Sequence, residues 1–146
     1  MQQKCGSEPF VYDDWKFSHL DQWVREHDLS KYSPEEFKPY RRWFYPTKHE
    51  ARKKAKYASA FEKAWRHHYE NNPHHWEYWD GKQAGHDYDP FFQWLCYVEM
   101  VLDWTAMSYK FGGTALEYYE GHKDEIKIAP DYTEFVERLL RQMATE

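Results

Sequence analysis

Apolar residues along this chain recur mostly three and four positions apart, the spacing of helices that bury one stripe. The first predicted helix runs from about Asp13 to His27, with acids at its start, where the helix dipole favours them, and Trp15, Leu20, Trp23 and Val24 for the core. Ser33-Pro34-Glu35-Glu36 reads as a second helix start, with Ser at the N-cap, Pro at the first position and Glu at the third. That helix carries Phe37, Tyr40, Arg41 and Phe44 and stops before Pro46. Thr47 caps a long third helix to about Asn71, with Ala51, Ala55, Ala58, Phe61 and Trp65 on one stripe and Pro73 ending it. Residues 73–90, with Gly81, Gly85 and Pro90, read as a loop or lid. Asp89-Pro90 opens a fourth helix to about 110, the most apolar segment, which Gly112-Gly113 breaks. A fifth follows from Thr114 to about Lys127, and Pro130 opens a sixth to about Met143. Residues 1–12, with Gly6 and Pro9, read as an irregular arm. The expected fold is all-α, a single-domain helical bundle of about six helices over residues 1–146.

Composition narrows the class. At 146 residues and 18.0 kDa the chain matches one domain. Its 21% aromatic residues exclude a disordered chain, because so many rings bury large apolar area. Mean hydropathy is -1.10, and no run approaches the ~18 apolar residues of a membrane span. Met1-Gln2-Gln3-Lys4-Cys5 lacks the apolar stretch of a signal peptide, and Cys5 and Cys96 do not make a disulfide framework. The expected compartment is reducing cytoplasm. Net charge is -5 and unevenly placed: residues 38–66 hold ten Lys/Arg against Glu50 and Glu62, so that stretch is +8 and the remainder -13. A basic stretch in an acidic protein either gathers an anion or forms a solvated face paired with acidic neighbours.

Several polar residues fall where core is expected. Four of the nine His lie in His67-His68-Tyr69-Glu70-Asn71-Asn72-Pro73-His74-His75-Trp76-Glu77. Neutral imidazole is the commonest metal ligand, and such a cluster lets several nitrogens converge on one ion. His68 continues the Phe61/Trp65 stripe and should face inward; His67 continues the Ala60/Ala64 row; His74 and His75 follow the helix stop, where a turn can bring one back. The bland alternative is a set of capping imidazoles at a helix C-terminus. On the fourth helix, Phe92, Cys96, Glu99, Asp103 and Ala106 share a face. Two carboxylates at that spacing repel, and unpaired burial is costly, so a metal, a Lys/Arg or a charged His should compensate them. His27-Asp28-Leu29-Ser30-Lys31 adds a vicinal His-Asp pair at a helix end, able to place both side chains on one metal.

The order His-Asp, then helical His, then a late-helix Asp resembles the HD superfamily of metal-dependent phosphohydrolases. Those are helical bundles holding one or two divalent ions, and the resemblance implies an HD-domain-like bundle here. In that pattern an earlier helix supplies a further His, for which His19 is the upstream candidate. A narrower resemblance covers residues 27–106. His27-Asp28-Leu29-Ser30-Lys31 with Pro34-Glu35, then Ala64 to Glu77, then Glu99-Met100-Val101-Leu102-Asp103-Trp104-Thr105-Ala106 look like the motifs of a family of uncharacterised bacterial and bacteriophage proteins, a domain of unknown function. Trp76 stands where that family usually has Pro.

These readings give an expectation of a metal-dependent phosphohydrolase acting on a nucleotide or other phosphate ester. His27, Asp28, His67, His68, His74, His75 and Asp103 are the candidate ligands for Mn, Fe, Co, Ni or Zn, since mixed imidazole and carboxylate ligands suit those ions. Glu99 and Lys31 are the candidate catalytic residues, as general base and phosphate-facing cation. Lys31, Arg41, Arg42, Tyr69, Asn72, Trp76 and Trp79 are the candidate substrate contacts. The competing expectation is a non-catalytic binding protein that inhibits a host factor or sequesters a ligand, with the polar set structural and the Trp76–Trp79 aromatics as contact surface. Nucleic-acid binding through residues 38–66 is disfavoured by the overall acidity and by the absence of a recognised motif.

Overall fold

The computed structural model describes residues 25–82, 86–87 and 89–145. The expected arm, Cys5, His19 and the core side chains Trp15, Leu20, Trp23 and Val24 of the first predicted helix lie outside the described residues. Residues 25 and 26 are helical, and the chain then turns at His27-Asp28. Six α-helices follow: α1 (Phe37–Phe44), α2 (Lys48–Ala51), α3 (Lys54–Asn71), α4 (Pro90–Phe111), α5 (Ala115–Gly121) and α6 (Pro130–Met143). Two 3₁₀ turns, Leu29–Tyr32 and Trp76–Trp79, complete the elements, and no strand occurs among the described residues.

The helices sort into two groups. α4, α5 and α6 pack on one another around Tyr97, Met100, Val101, Tyr119, Val136 and Leu140, the apolar core. α4 starts as its sequence dictates: Asp89 accepts the Phe91 N–H at 2.9 Å, and Pro90 loses no needed donor in the first turn. It ends at Gly112 and Gly113, whose φ values of 88° and 76° lie in the left-handed region that favours glycine. Thr114 and Glu117 then form a reciprocal capping box, with the Thr hydroxyl accepting the Glu117 N–H at 3.1 Å and the Glu carboxylate accepting the Thr114 N–H at 2.8 Å. In the other group α1 packs along α3, and the Leu29–Tyr32 turn sits against both. Its apolar contact is aromatic and only half-buried, led by Trp43 stacked on Phe61 at 4.7 Å.

Boundaries differ from expectation at four places. The predicted third helix divides at Arg52-Lys53. The bend lets Glu50 stay on the Arg41 and Arg42 guanidiniums while Phe61 keeps its stack on Trp43. The second predicted helix starts at Phe37 and not Pro34. Ser33 Oγ makes no hydrogen bond there, and its carbonyl takes the Glu36 and Phe37 N–H groups in a turn. α5 stops at Gly121, six residues before Lys127, because the chain turns at His122 and runs on with Ile126 and Ile128 against the core. In the expected lid, Trp76–Trp79 forms a 3₁₀ turn whose Trp79 is only 4% exposed and donates its indole N–H to the Pro73 carbonyl at 2.7 Å.

Candidate metal centre

Pro73 ends α3, and Asn72 leaves it in an extended conformation, φ -129° and ψ 96°. The His75 N–H then closes a turn on the Asn72 carbonyl at 3.1 Å. That reversal brings back both following imidazoles: His75 lies 4.8 Å from the His68 ring and His74 lies 4.2 Å from His75, centroid to centroid. His68 is 1% exposed, where its stripe position puts it. Across from them, Asp28 sits at φ 59°, a left-handed conformation that Asp tolerates better than most side chains. This places its carboxylate among the rings, with Oδ1 3.2 Å from His68 Nε2 and 3.3 Å from His74 Nε2.

From α4, Glu99 Oε1 accepts from His27 Nδ1 at 2.8 Å, and Asp103 Oδ1 lies 3.4 Å from His27 Nε2. The cation that these two carboxylates require is therefore His27. Asp103, then Asp28 and Glu99, hold its imidazole charged and push it up to about 11. His27 also stacks on His74, with centroids 4.3 Å apart.

Two groups of donor atoms converge, sharing His74. Asp28, His68, His74 and His75 each bring one ligand atom within 4.8 Å of the others, and so do His27, His74 and Asp103. The first group fits a cation on a second count: Asp28 Oδ1, His74 Nε2 and His75 Nε2 are buried without a hydrogen-bond partner. Asp28 Oδ1 lies 3.2 Å from His68 Nε2 and 3.3 Å from His74 Nε2 without a hydrogen bond to either. Buried polar atoms without partners are uncommon and costly, and three around one point suit an ion. Burial alone would raise the Asp28 carboxyl, but His27, His68, His74 and Lys31 outweigh it and hold it far below the usual carboxylate range. Burial, then the neighbouring His74 and His68, push His75 down to about 2, which keeps it in the neutral form that ligates metals.

The other sequence candidates are placed as follows. His67 stands outside both groups, half-buried, with Nδ1 donating to Glu36 Oε1 at 2.7 Å. Lys31 pairs with Asp28, and its ammonium is more exposed than the carboxylate it meets. Arg41 and Arg42 both hold Glu50, at 2.7 and 3.3 Å, so part of the basic stretch is paired internally. Asn72 is buried and donates to the His68 carbonyl and Ser30 Oγ, both at 2.7 Å, which fixes the α3 end. Tyr69 packs edge-on against Trp65, and Trp76 is half-buried against the core. Trp79 is a core side chain and not part of an open aromatic surface.

Two residues escaped the sequence reading. Glu36 is fully buried and accepts from His67 and His68, although its position reads as an ordinary helix-start acid. Glu77 Oε2 is buried without a partner, and burial raises its carboxyl; its one signal is its place just beyond the second His pair.

The chain belongs to a family of unknown function, DUF5662, whose model matches residues 7–142. The resemblance to an uncharacterised family is thereby borne out. No curated protein and no solved structure matches the chain. No helix among the described residues is long and apolar enough to cross a membrane.

Proposed function

We propose that this member of the family is a divalent-metal-dependent phosphohydrolase, acting on a nucleotide or other phosphate ester in the bacterial cytoplasm. The observation that carries the reading is the convergence of ligand atoms from Asp28, His68, His74 and His75, residues in which Asp28 Oδ1, His74 Nε2 and His75 Nε2 are buried without hydrogen-bond partners. Asp28, His68, His74 and His75 would hold an ion; His27, His74 and Asp103 also converge, but the charged His27 would have to give up a proton before it could join a second set. Mn, Fe, Co, Ni or Zn suit such donors. A bound divalent ion supplies Lewis acidity and acidifies water towards pKa ~7.

The chain's own residues supply the remainder. Glu99 accepts from His27 at 2.8 Å, which orients that ring, and with its Oε1 3.7 Å from His74 Nδ1 it would serve as the general base beside the two. Lys31 offers an ammonium at the rim of Asp28 for a substrate phosphate. The ligand order, His-Asp then helical His then a late-helix Asp, is that of HD phosphohydrolases and supports the same class.

One observation favours the non-catalytic alternative: Arg41 and Arg42 are both held by Glu50, which leaves fewer groups for a substrate. Metal analysis with turnover of a panel of nucleotides, cyclic dinucleotides and simple phosphate esters separates the two. The phosphohydrolase reading expects metal-dependent turnover that His27→Ala and Asp103→Ala abolish. Equal rates in all three proteins would sink the catalytic roles. Chelator-sensitive stability with no turnover would favour a binding protein.

A further inference from the structure

We infer that Glu36 is a positioning residue for the metal centre: it holds His68 in the tautomer that keeps Nε2 free for an ion. The inference rests on the proposed metal site and adds the device that keeps one of its ligands available.

Glu36 is 0% exposed and sits at the start of α1, its carbonyl accepting the Tyr40 N–H at 2.9 Å. Its Oε2 is 2.8 Å from His68 Nδ1 and its Oε1 is 2.7 Å from His67 Nδ1. An ionised carboxylate only accepts, so both rings present their proton at Nδ1. Two other groups approach His68 Nδ1, Ser30 Oγ at 3.2 Å and Asn72 Nδ2 at 3.2 Å. The amide nitrogen cannot accept a proton's hydrogen bond, and the hydroxyl is neutral and farther away. Glu36 therefore decides which nitrogen of His68 carries the hydrogen.

The consequence appears on the other side of the ring. His68 Nε2 faces Asp28 Oδ1 at 3.2 Å, and that oxygen has no hydrogen-bond partner. With the proton held at Nδ1, a neutral His68 turns a lone pair towards a carboxylate oxygen. Two acceptors at that distance repel unless a cation lies between them. Without Glu36 the imidazole could carry its proton on Nε2 and donate to Asp28, and the pair would satisfy itself. Glu36 thus prevents the cluster from closing on its own hydrogen bonds. A carboxylate behind a ligating imidazole also makes that imidazole a stronger donor.

The test titrates zinc into chelator-stripped wild type and Glu36→Gln in competition with a chelating dye, and records long-range ¹H–¹⁵N spectra of the histidines in the zinc-loaded wild type. The expected result is a protonated Nδ1 and a metal-bound Nε2 on His68, with zinc affinity about 10–100-fold weaker in Glu36→Gln at unchanged helix content. Zinc binding in Glu36→Gln as tight as in wild type, or a His68 proton on Nε2, overturns the inference and leaves the metal reading standing. A wild type that takes up no zinc overturns the metal reading and this inference with it. If Glu36→Gln does not fold, the wild-type spectrum decides alone.

Discussion

The two halves of the molecule are held together by different chemistry. In α4, α5 and α6 the buried set is apolar, with Met100, Val101, Val136 and Leu140 at 1% exposure or less. Around α1 and α3 the buried side chains are Glu36, His68, Asn72 and His74, with Ala64 the one apolar residue among them, and α1 buries no apolar residue. α4 belongs to both, with Met100 and Val101 in the core and Glu99 and Asp103 turned to His27. Apolar burial needs no partner beyond close packing. Buried polar atoms need hydrogen-bond partners, and here some are missing: Asp28 Oδ1, His74 Nε2 and His75 Nε2 have none. One half is complete as a protein core, and the other gathers buried donor atoms that could hold an ion.

Paired substitutions break this comparison most sharply. Asp28→Ala leaves the imidazoles around it without their carboxylate and is expected to cost about 3–5 kcal/mol and to abolish metal uptake. Leu140→Ala opens a cavity in the apolar half and is expected to cost about 2–5 kcal/mol, with metal uptake per folded molecule unchanged. Denaturant unfolding beside metal analysis checks both. Loss of metal in Leu140→Ala would show that the halves are not separable in this way.

The pH dependence of the metal-free protein follows from two imidazoles displaced in opposite directions. His27 is raised from 6.5 to about 11, so its contribution is complete below pH 6.5 and is lost as pH rises towards 11. His75 is lowered from 6.5 to about 2, so the unfolded chain takes up the extra proton below pH 6.5 and stability falls as pH drops. The depressed Asp28 carboxyl adds to the acid loss once pH falls through its ordinary value of 3.8. Thermal melts across pH are expected to peak near about 6.5. His27→Gln should flatten the alkaline side alone, and an unchanged alkaline slope would remove His27 from that role.

The smallest effect is at a helix cap. Thr114→Ala removes the hydroxyl that accepts the Glu117 N–H and should lower stability by about 1 kcal/mol, without moving metal uptake or the pH profile. A drop in metal uptake would tie α5 to the polar half.

Much of the comparison was legible in the sequence, for physical reasons that can be named. His68 continued an apolar stripe, and Glu99 and Asp103 shared a face with Cys96, so polar atoms had to be buried. Helix periodicity located α4 and α6, because long apolar faces and Pro starts act locally. Glu36 was hidden because a Ser-Pro-Glu-Glu start already has a local explanation, and only the fold brings two imidazoles onto that carboxylate. The division between α2 and α3 has no Gly or Pro to announce it; it follows from the ties of Glu50 and Phe61 to α1. Trp79 reads as lid because Pro73 precedes it and Gly81 and Gly85 follow it, whereas a 3₁₀ turn buries it. Arg41 and Arg42 were legible as a basic cluster, but their common partner Glu50 was a matter of tertiary geometry.

Crystals of the wild type grown with zinc, and an anomalous difference map at the zinc edge, test the central claim most directly. The account predicts a peak about 2.0–2.2 Å from Asp28 Oδ1, His74 Nε2 and His75 Nε2. A map without a peak there, from crystals in which these side chains hydrogen-bond one another, would contradict it.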